Sequence, residues 1–184
     1  MLATAVLTPQ VTSPFTFPTA LPDSSPTPAN DCTDVFPLDS VEAIEFGQTT
    51  IPQLEASFGR ASYVGGRPTR FRFEAEGCTL RVSVGVQEAL EAELVSYGTL
   101  GLLLDRYGPP AAAGISQGNL TLLVTGYTVL LYPEEGIIAI FDIAPGQLKR
   151  DTPVSTLYFR ASYTVEKQVQ RLNLLLTDFQ PPLR

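Results

Sequence analysis

The sequence predicts an α+β fold in which two short helices pack on one face of an antiparallel β-sheet built from two tandem repeats, followed by a short C-terminal helix. A capped helical segment occurs twice along the chain, and each copy is followed by segments with the apolar patterns of strands. The Pro/Thr-rich start differs from everything after it. We therefore divide the chain into a disordered leader (1–40), repeat 1 (41–97), repeat 2 (98–163) and a C-terminal helix with a tail (164–184).

The repeated helical segment covers residues 50–61 and 99–110. In each copy a threonine suits the helix N-cap, a leucine and an aromatic residue lie four positions apart on one face, and a glycine suits the turn that ends the helix. Pro52 lies in the first turn of one copy, where helices tolerate proline. The repeat-defining residues, in matching order, are Thr50, Leu54, Phe58 and Gly59, and Thr99, Leu103, Tyr107 and Gly108.

Composition excludes several classes of function. A chain of 184 residues is long enough for one domain, or two small ones, with its own core. The net charge is −7 and the arginines form no run, so the footprint of a nucleic-acid-binding protein is absent. The chain has no histidine, which excludes Ser-His-Asp and Cys-His nucleophile arrangements and histidine-ligated zinc. We predict no catalytic residue, no metal site and no cofactor.

The first forty residues have the composition of a flexible leader. They contain seven prolines and no basic residue, and such a segment buries too little apolar surface to offset the entropy lost on ordering. Met1 to Leu7 resembles the end of a hydrophobic signal region but lacks its positively charged part. No later stretch approaches ~18 consecutive apolar residues, so we predict no transmembrane helix in this chain. We expect an extracytoplasmic protein, secreted or in the cell envelope.

The two cysteines, Cys32 and Cys78, are candidates for a disulfide. In an oxidising compartment a bond between them would tie the end of the leader to the tip of a hairpin. Two unrelated thiols are the alternative.

Repeat 1 begins with a predicted short strand at 42–46, ahead of the first helix. Its clearest hairpin runs from Thr69 to Gly85, and we predict a two-residue turn at Gly77-Cys78. Residues 89–97 fit either a helix or a third strand, and we favour the strand. The predicted hairpin register pairs Ala75 with Leu80, Phe73 with Val82 and Phe71 with Val84 on the apolar face, and Glu74 with Arg81 on the wet face.

Repeat 2 is predicted to contain strands at 119–124, 127–132, 137–142 and 154–163. A turn at 133–136 sets Leu131 opposite Ile138 and Leu130 opposite Ala139, so both faces of this hairpin are apolar and need cover. We favour cover of this hairpin by other parts of the same chain. Cover by another protein is the alternative. The possible partner surface is Tyr127, Tyr132, Ile137 and Phe141. The C-terminal helix is predicted from Val165, Val169, Leu172 and Leu176 at helical spacing.

A resemblance rests on short motifs between residues 41 and 163. Ile44-x-x-Gly47-x-Thr49, then Leu54 and Phe58-Gly59-x-Ala61, resembles the opening of the repeat shared by β-lactamase inhibitory proteins and the small lipoprotein of the outer-membrane β-barrel assembly machinery. Tyr107-Gly-Pro-Pro110 is similar in the second copy, and poorly characterised secreted bacterial proteins with Pro/Thr-rich leaders share the Gly-Pro-Pro motif and the Tyr-Pro-x-x-Gly hairpin after it. The resemblance implies a protein that binds other proteins without catalysis, and it implies no particular contact residues.

Three functions follow as expectations. The first is a secreted or envelope-associated, non-enzymatic protein–protein interaction module with an unknown protein partner. The second is a self-assembling subunit of a bacterial surface layer or filament, whose apolar sheet face packs against copies of itself. The third and least favoured is a hydrolase using carboxylates, for which Glu91 with Glu93 and Glu134 with Glu135 are the candidates, although exposed glutamates are usually solubilising.

Overall fold

In the computed structural model, residues 32–86, 88–118 and 125–180 are described, and they form one nine-stranded antiparallel sheet with helices. The strand order is β1-β2-β3-β4-β8-β7-β6-β5-β9. The helices of the described ranges are α1 (Leu38–Glu42), α2 (Ile51–Phe58), α3 (Leu100–Tyr107) and α4 (Val165–Leu172), with a 3-10 turn at Pro145–Gln147. The strands are β1 (Ser62–Gly65), β2 (Thr69–Ala75), β3 (Cys78–Val84), β4 (Ala89–Val95), β5 (Ala112–Ser116), β6 (Thr128–Tyr132), β7 (Ile137–Phe141), β8 (Thr156–Arg160) and β9 (Leu174–Thr177). The α+β class and the antiparallel sheet are therefore confirmed.

The helices α2 and α3 occur where the sequence predicts them. Thr50 is the N-cap of α2, and its backbone N–H donates to Gln53 Oε1 at 2.8 Å. Thr99 is the N-cap of α3, and its hydroxyl oxygen accepts from the Leu102 N–H at 3.4 Å. Each helix ends at a glycine with positive φ, +84° at Gly59 and +75° at Gly108, combined with an extended ψ that is essentially confined to glycine.

The hairpin of β2 and β3 differs from the prediction by two residues. Ala75 pairs with Cys78 and Phe73 with Leu80, so the turn is Glu76-Gly77 and not Gly77-Cys78. Both turn residues have positive φ, +49° and +81°, which matches the right-handed twist of the strands. A slip of two residues keeps every side chain on its predicted face, since side chains alternate with a period of two.

The second hairpin is confirmed in both register and burial. Leu131 pairs with Ile138 and Leu130 with Ala139, and every residue of β6 and β7 is buried. The predicted strands at 89–97 and 154–163 are β4 and β8. The predicted strand at 119–124 lies outside the described residues.

Three other predictions about local structure are wrong. Residues 42–46 form the end of α1 and turns instead of a strand. The folded part also includes residues 32–40, because Cys32, Phe36 and Leu38 are buried. The C-terminal helix ends at Leu172, since Asn173 adopts the left-handed conformation. Leu176 therefore belongs to the strand β9 and not to the helix.

The sheet carries one apolar cluster on each face. The larger cluster joins α1, α2 and α3 to one face of the sheet, and it contains Leu54 and Leu103 together with alternate residues of all strands from β2 to β8. The smaller cluster lies under α4, whose Val165, Val169 and Leu172 pack against the other face of β6 and β7. Cover from within the chain, the favoured alternative for the second hairpin, is thus confirmed.

Candidate functional site

The exposed apolar side chains of the described residues form two groups, one on β1 and around the β3–β4 turn and one on β9. Tyr63 is 69% exposed on the edge strand β1, Val64 follows it, and Val86 is 94% exposed just after β3. Leu90 is exposed too and lies against Gly85. The other exposed pair, Leu175 and Leu176, lies on β9 at the opposite edge.

A groove runs beside the exposed residues of the β1 end. Its volume is about 520 Å³. It forms where the first turn of α2 meets the ends of β2 and β3, held by an isolated bridge between Thr50 and Glu88. The Tyr63 ring packs against the ring of Phe71, which lines the groove, with centroids 5.9 Å apart. We call the groove and the four exposed residues, Tyr63, Val64, Val86 and Leu90, the first-edge patch; the groove is lined by Thr50, Ile51, Pro52, Thr69, Phe71, Val84, Gly85 and Val86.

The segment that contains β1 and β2 is cationic in an otherwise acidic chain. Residues 56–73 contain four arginines and no acidic residue, whereas the whole chain has a net charge of −7. Arg72 forms an ion pair with Glu74 at 3.2 Å. Arg60, Arg67 and Arg70 form no ion pair within the described part of the chain. Side chains alternate along β2, so Arg70 lies on the sheet face opposite the groove residue Phe71, where its charge acts on Tyr158. Arg67, in the turn between β1 and β2, is two residues from the groove residue Thr69.

The carboxylates proposed for catalysis are held by arginines. On the sheet face opposite α2 and α3, Glu93 accepts from Arg81 at 3.0 Å, and Glu91 lies 3.4 Å from Arg171 and 3.5 Å from Arg160. These ion pairs cross from strand to strand and from the sheet to α4. Burial, and then the charges of Glu93 and Glu91, raise the pKa of the neighbouring Tyr158. Glu91 and Glu93 thus each have a structural partner. The other candidate pair, Glu134 and Glu135, lies exposed in the β6–β7 turn.

The predicted partner surface on the second hairpin is wrong for three of its four residues. Tyr132 is 2% exposed, and Ile137 and Phe141 are fully buried, because the layer of α1 to α3 covers their face of the sheet. Tyr127 is partly exposed at the start of the hairpin. A hydrogen bond to Asp142 raises the pKa of Tyr127.

The repeat-defining residues have capping and packing positions. Leu54 and Leu103 are buried at 1% and 0% exposure. The Phe58 ring packs edge-on between two other aromatic rings, with centroids at 6.2 Å and 5.9 Å. The Tyr107 ring lies 5.7 Å from that of Tyr132. None of these contacts requires a ligand.

A polar cluster joins α1 to α3. Arg106 forms ion pairs with Asp39 and Glu42, and the Tyr107 hydroxyl donates to Glu42. Hydrogen bonding to Glu42 raises the pKa of Arg106, and burial raises the pKa of Tyr107. These groups satisfy one another, so the cluster anchors α1 onto the larger apolar cluster.

Cys32 and Cys78 are disulfide-bonded, as the first alternative predicts, with their Cα atoms 5.6 Å apart. The bond fixes the first described residue to the start of β3. Within the described residues, no group of three or more His, Cys, Asp or Glu side chains has the arrangement of a metal site. None of the described helices is long and apolar enough to cross a membrane.

Sequence analysis missed the first-edge patch. Its groove brings together Ile51, Phe71 and Val86, which lie far apart in the chain, and no local pattern predicts that contact. One signal was readable: the interval between Glu55 and Glu74 holds four arginines and no carboxylate. Among the ten arginines of the whole chain, these four do not form a run, so the sequence analysis described the arginines as scattered.

Comparison of the chain with protein-family models gives no match, and comparison with curated proteins gives none either. Among solved structures, it is similar to the crystal structure of a DUF4309 family protein, YjgB, from Bacillus subtilis subsp. subtilis str. 168. The two share 16% sequence identity, and the match covers 65% of this chain and 83% of that chain with a TM-score of 0.44. At this level of similarity the match assigns neither a family nor a function.

Proposed function

We propose that the chain is a non-enzymatic protein–protein interaction module, secreted or associated with the cell envelope, and that a partner binds at the first-edge patch. One observation carries the proposal: a groove lined mainly by apolar residues and flanked by exposed Tyr63 and Val86 lies beside the edge strand β1. Exposed apolar surface with a polar rim is typical of interaction sites.

The chemistry of the patch defines the partner. The groove accommodates a few apolar side chains, and β1, whose outer edge pairs with no other strand of the described residues, offers backbone groups to an extended segment. Arg67, in the turn that joins β1 to β2, favours a segment that is acidic next to its apolar residues. We therefore propose an extended, acid-flanked apolar segment of another protein as the ligand.

The repeat resemblance agrees with this role. We propose that α2 and α3, with the strands that follow each, descend from one duplicated unit like that of β-lactamase inhibitory proteins. Matching threonine caps, buried leucines and terminal glycines with positive φ support the duplication. Proteins built on that repeat bind other proteins, which is the role proposed here.

An extracytoplasmic location is part of the proposal. It is supported by the Cys32–Cys78 disulfide, since structural disulfides persist in oxidising compartments. Thiol labelling of the protein from its native cell tests this point directly. Unlabelled cysteines are the expected result, and two labelled cysteines would contradict it.

The alternatives have less support. A subunit that assembles through the apolar face of β6 and β7 would need that face to be open, and α4 covers it. A carboxylate-dependent hydrolase would need two acidic groups in a shared cleft, whereas Glu91 and Glu93 are each held by arginine.

The test is selection of binding segments from a random peptide library on the intact chain, followed by affinity measurement. We expect selected peptides to carry apolar residues next to acidic ones, and their affinity to fall as salt rises, since Arg67 contributes charge attraction. Val86→Glu should weaken binding at least tenfold. Leu175→Glu is the matched control, because it adds the same charge at an exposed apolar position of the opposite edge, and it should leave binding unchanged. Peptides that bind both variants equally would overturn the proposal.

A further inference from the structure

The start of the chain carries a segment with the chemistry of the proposed ligand. In the sequence of residues 1–31, which lie outside the described residues, Phe15, Phe17 and Leu21 are followed by Asp23. Prolines occur at positions 14, 18 and 22, and proline favours an extended backbone that loses little entropy on binding. This part of the sequence contains no basic residue. Residues 14–23, which we call the leader motif, therefore match an extended apolar segment with an acidic flank.

The leader joins the folded part on the sheet face that carries the groove. The first described residue, Cys32, is bonded to Cys78 at the start of β3. Both cysteines and the groove residue Val84 belong to the larger apolar cluster, and the groove residue Phe71 packs against it. A segment that continues from Cys32 can therefore reach the groove without crossing an edge of the sheet.

The leader motif is close enough to bind to its own chain. Val84 lies six residues after Cys78 along β3, which corresponds to ~20 Å at ~3.3 Å per residue. The Cα atoms of Cys32 and Cys78 are 5.6 Å apart. Asp23 lies nine residues before Cys32, and a proline-rich chain spans ~3.1 Å per residue, so this connection covers ~28 Å. The connection is therefore long enough to place Asp23 and the apolar residues before it at the groove.

We propose that the leader motif binds the first-edge patch of its own chain and competes there with the partner. The inference rests on the proposed function, because it describes how that same site is regulated. The groove of about 520 Å³ accommodates apolar side chains of the motif, and the exposed Arg67 attracts Asp23. The motif of the same chain is favoured over that of a second copy, because the connection holds it at an effective concentration of ~1 mM.

The connection sets the strength of this competition. A motif that binds with a dissociation constant of ~100 µM occupies its own patch in ~90% of the molecules at an effective concentration of ~1 mM. A partner then binds only the remaining ~10%, so its apparent affinity is about tenfold weaker than for an open patch. The leader motif thus acts as a threshold that a weak ligand does not overcome.

Tryptophan fluorescence of the full chain tests the contact directly. The sequence contains no tryptophan, so Phe17→Trp introduces a single reporter into the leader motif. We expect acrylamide to quench this reporter at least threefold less efficiently than in the double variant Phe17→Trp/Val86→Glu, whose patch carries a new charge. Leu7→Trp, a reporter in the leader outside the motif, should be quenched equally with and without Val86→Glu. Equal quenching of the Phe17→Trp single and double variants would overturn the inference.

The dependence on protein concentration separates the two sources of the motif. Shielding of the Phe17→Trp reporter should be constant from about 1 to 100 µM protein, because the effective concentration of a connected motif does not depend on dilution. Shielding that increases with protein concentration would assign the contact to the leader of a second copy and would overturn the inference. Val86 is 94% exposed, so its substitution leaves the core intact, and circular dichroism confirms the folding of each variant.

Peptide binding separates this inference from the proposed function. The variant Phe15→Ser/Phe17→Ser/Leu21→Ser should bind a peptide selected from the random library about tenfold more tightly than the original chain, because its patch is open. The matched control, Leu2→Ser/Val6→Ser/Leu7→Ser, should bind it as the original chain does. Equal affinity of all three chains would overturn the inference and leave the proposed function intact. A shielded Phe17→Trp reporter in a chain that selects no peptide would refute the proposed partner and support the contact of the leader motif.

Discussion

Removal of the disulfide should destabilise the protein without unfolding it. The bond joins residues separated by 46 positions, and in the chain-entropy model a loop of that length contributes roughly 4 kcal/mol to the free energy of unfolding. The residues beside Cys32 keep other contacts in the double variant Cys32→Ser/Cys78→Ser. Phe36 is 1% exposed, its carbonyl accepts from the Tyr97 hydroxyl at 3.0 Å, and Arg106 still holds α1.

Urea unfolding followed by circular dichroism measures this change. We expect the double variant to unfold in one transition, with an unfolding free energy about 4 kcal/mol lower than that of the oxidised protein. The original chain under a reducing agent is the internal control and should match the variant. A loss below about 1 kcal/mol, or no effect of the reducing agent, would refute the reasoning that the bond restricts the unfolded chain.

Three further predictions concern the core, a turn and the tyrosines. Leu103→Ala should lower the unfolding free energy by about 2–5 kcal/mol, because the side chain is fully buried; a loss under 1 kcal/mol in urea would contradict its place in the core. Gly136→Ala should cost clearly more than Gly126→Ala in the same assay, since both have positive φ but only the former places a Cβ against the Arg160 carbonyl; equal losses would contradict the turn geometry. Stability should fall as pH rises above 10, because burial raises the pKa of four tyrosines, so the unfolded chain loses protons that the folded chain retains; unfolding free energies constant up to pH 11 would contradict this. These tyrosines are Tyr107, Tyr132, Tyr158 and Tyr163.

Local patterns predicted the elements whose signals are strong. A threonine cap with a terminal glycine located α2 and α3, because capping chemistry depends on residues within one turn. The doubly apolar segments at 128–132 and 137–141 gave the register of the second hairpin, since Pro133 and Gly136 left one way to close the turn.

The errors occurred where short-range signals compete. In the first hairpin Glu76 takes positive φ, which glutamate rarely does, so Gly77-Cys78 was the more ordinary choice for the turn. At the C-terminus Leu172 and Leu176 share helical spacing, and only the left-handed Asn173 separates helix from strand. The strand β5 is rich in alanine and glycine, which have low strand propensity, and its pairing with β6 and β9 determines its structure.

The candidate site lay beyond sequence reasoning for a different reason. Burial of Tyr132 and Phe141 depends on which helices cover each face, so their apolar pattern could not separate a core from a docking surface. Exposure of Tyr63 on the edge strand β1, and of Val86 just after β3, likewise depends on the fold and not on their local sequence. The surface predicted on the second hairpin therefore consists mainly of residues that the structure buries.

Chemical-shift mapping by NMR, with a peptide selected from the random library, tests the central claim most directly. If the first-edge patch binds the partner, the largest amide shifts should cluster at residues 50–52, 63–71 and 84–86, and Val86→Glu should abolish them. The largest shifts at residues 112–116 and 174–177, on the opposite edge of the sheet, would contradict the account.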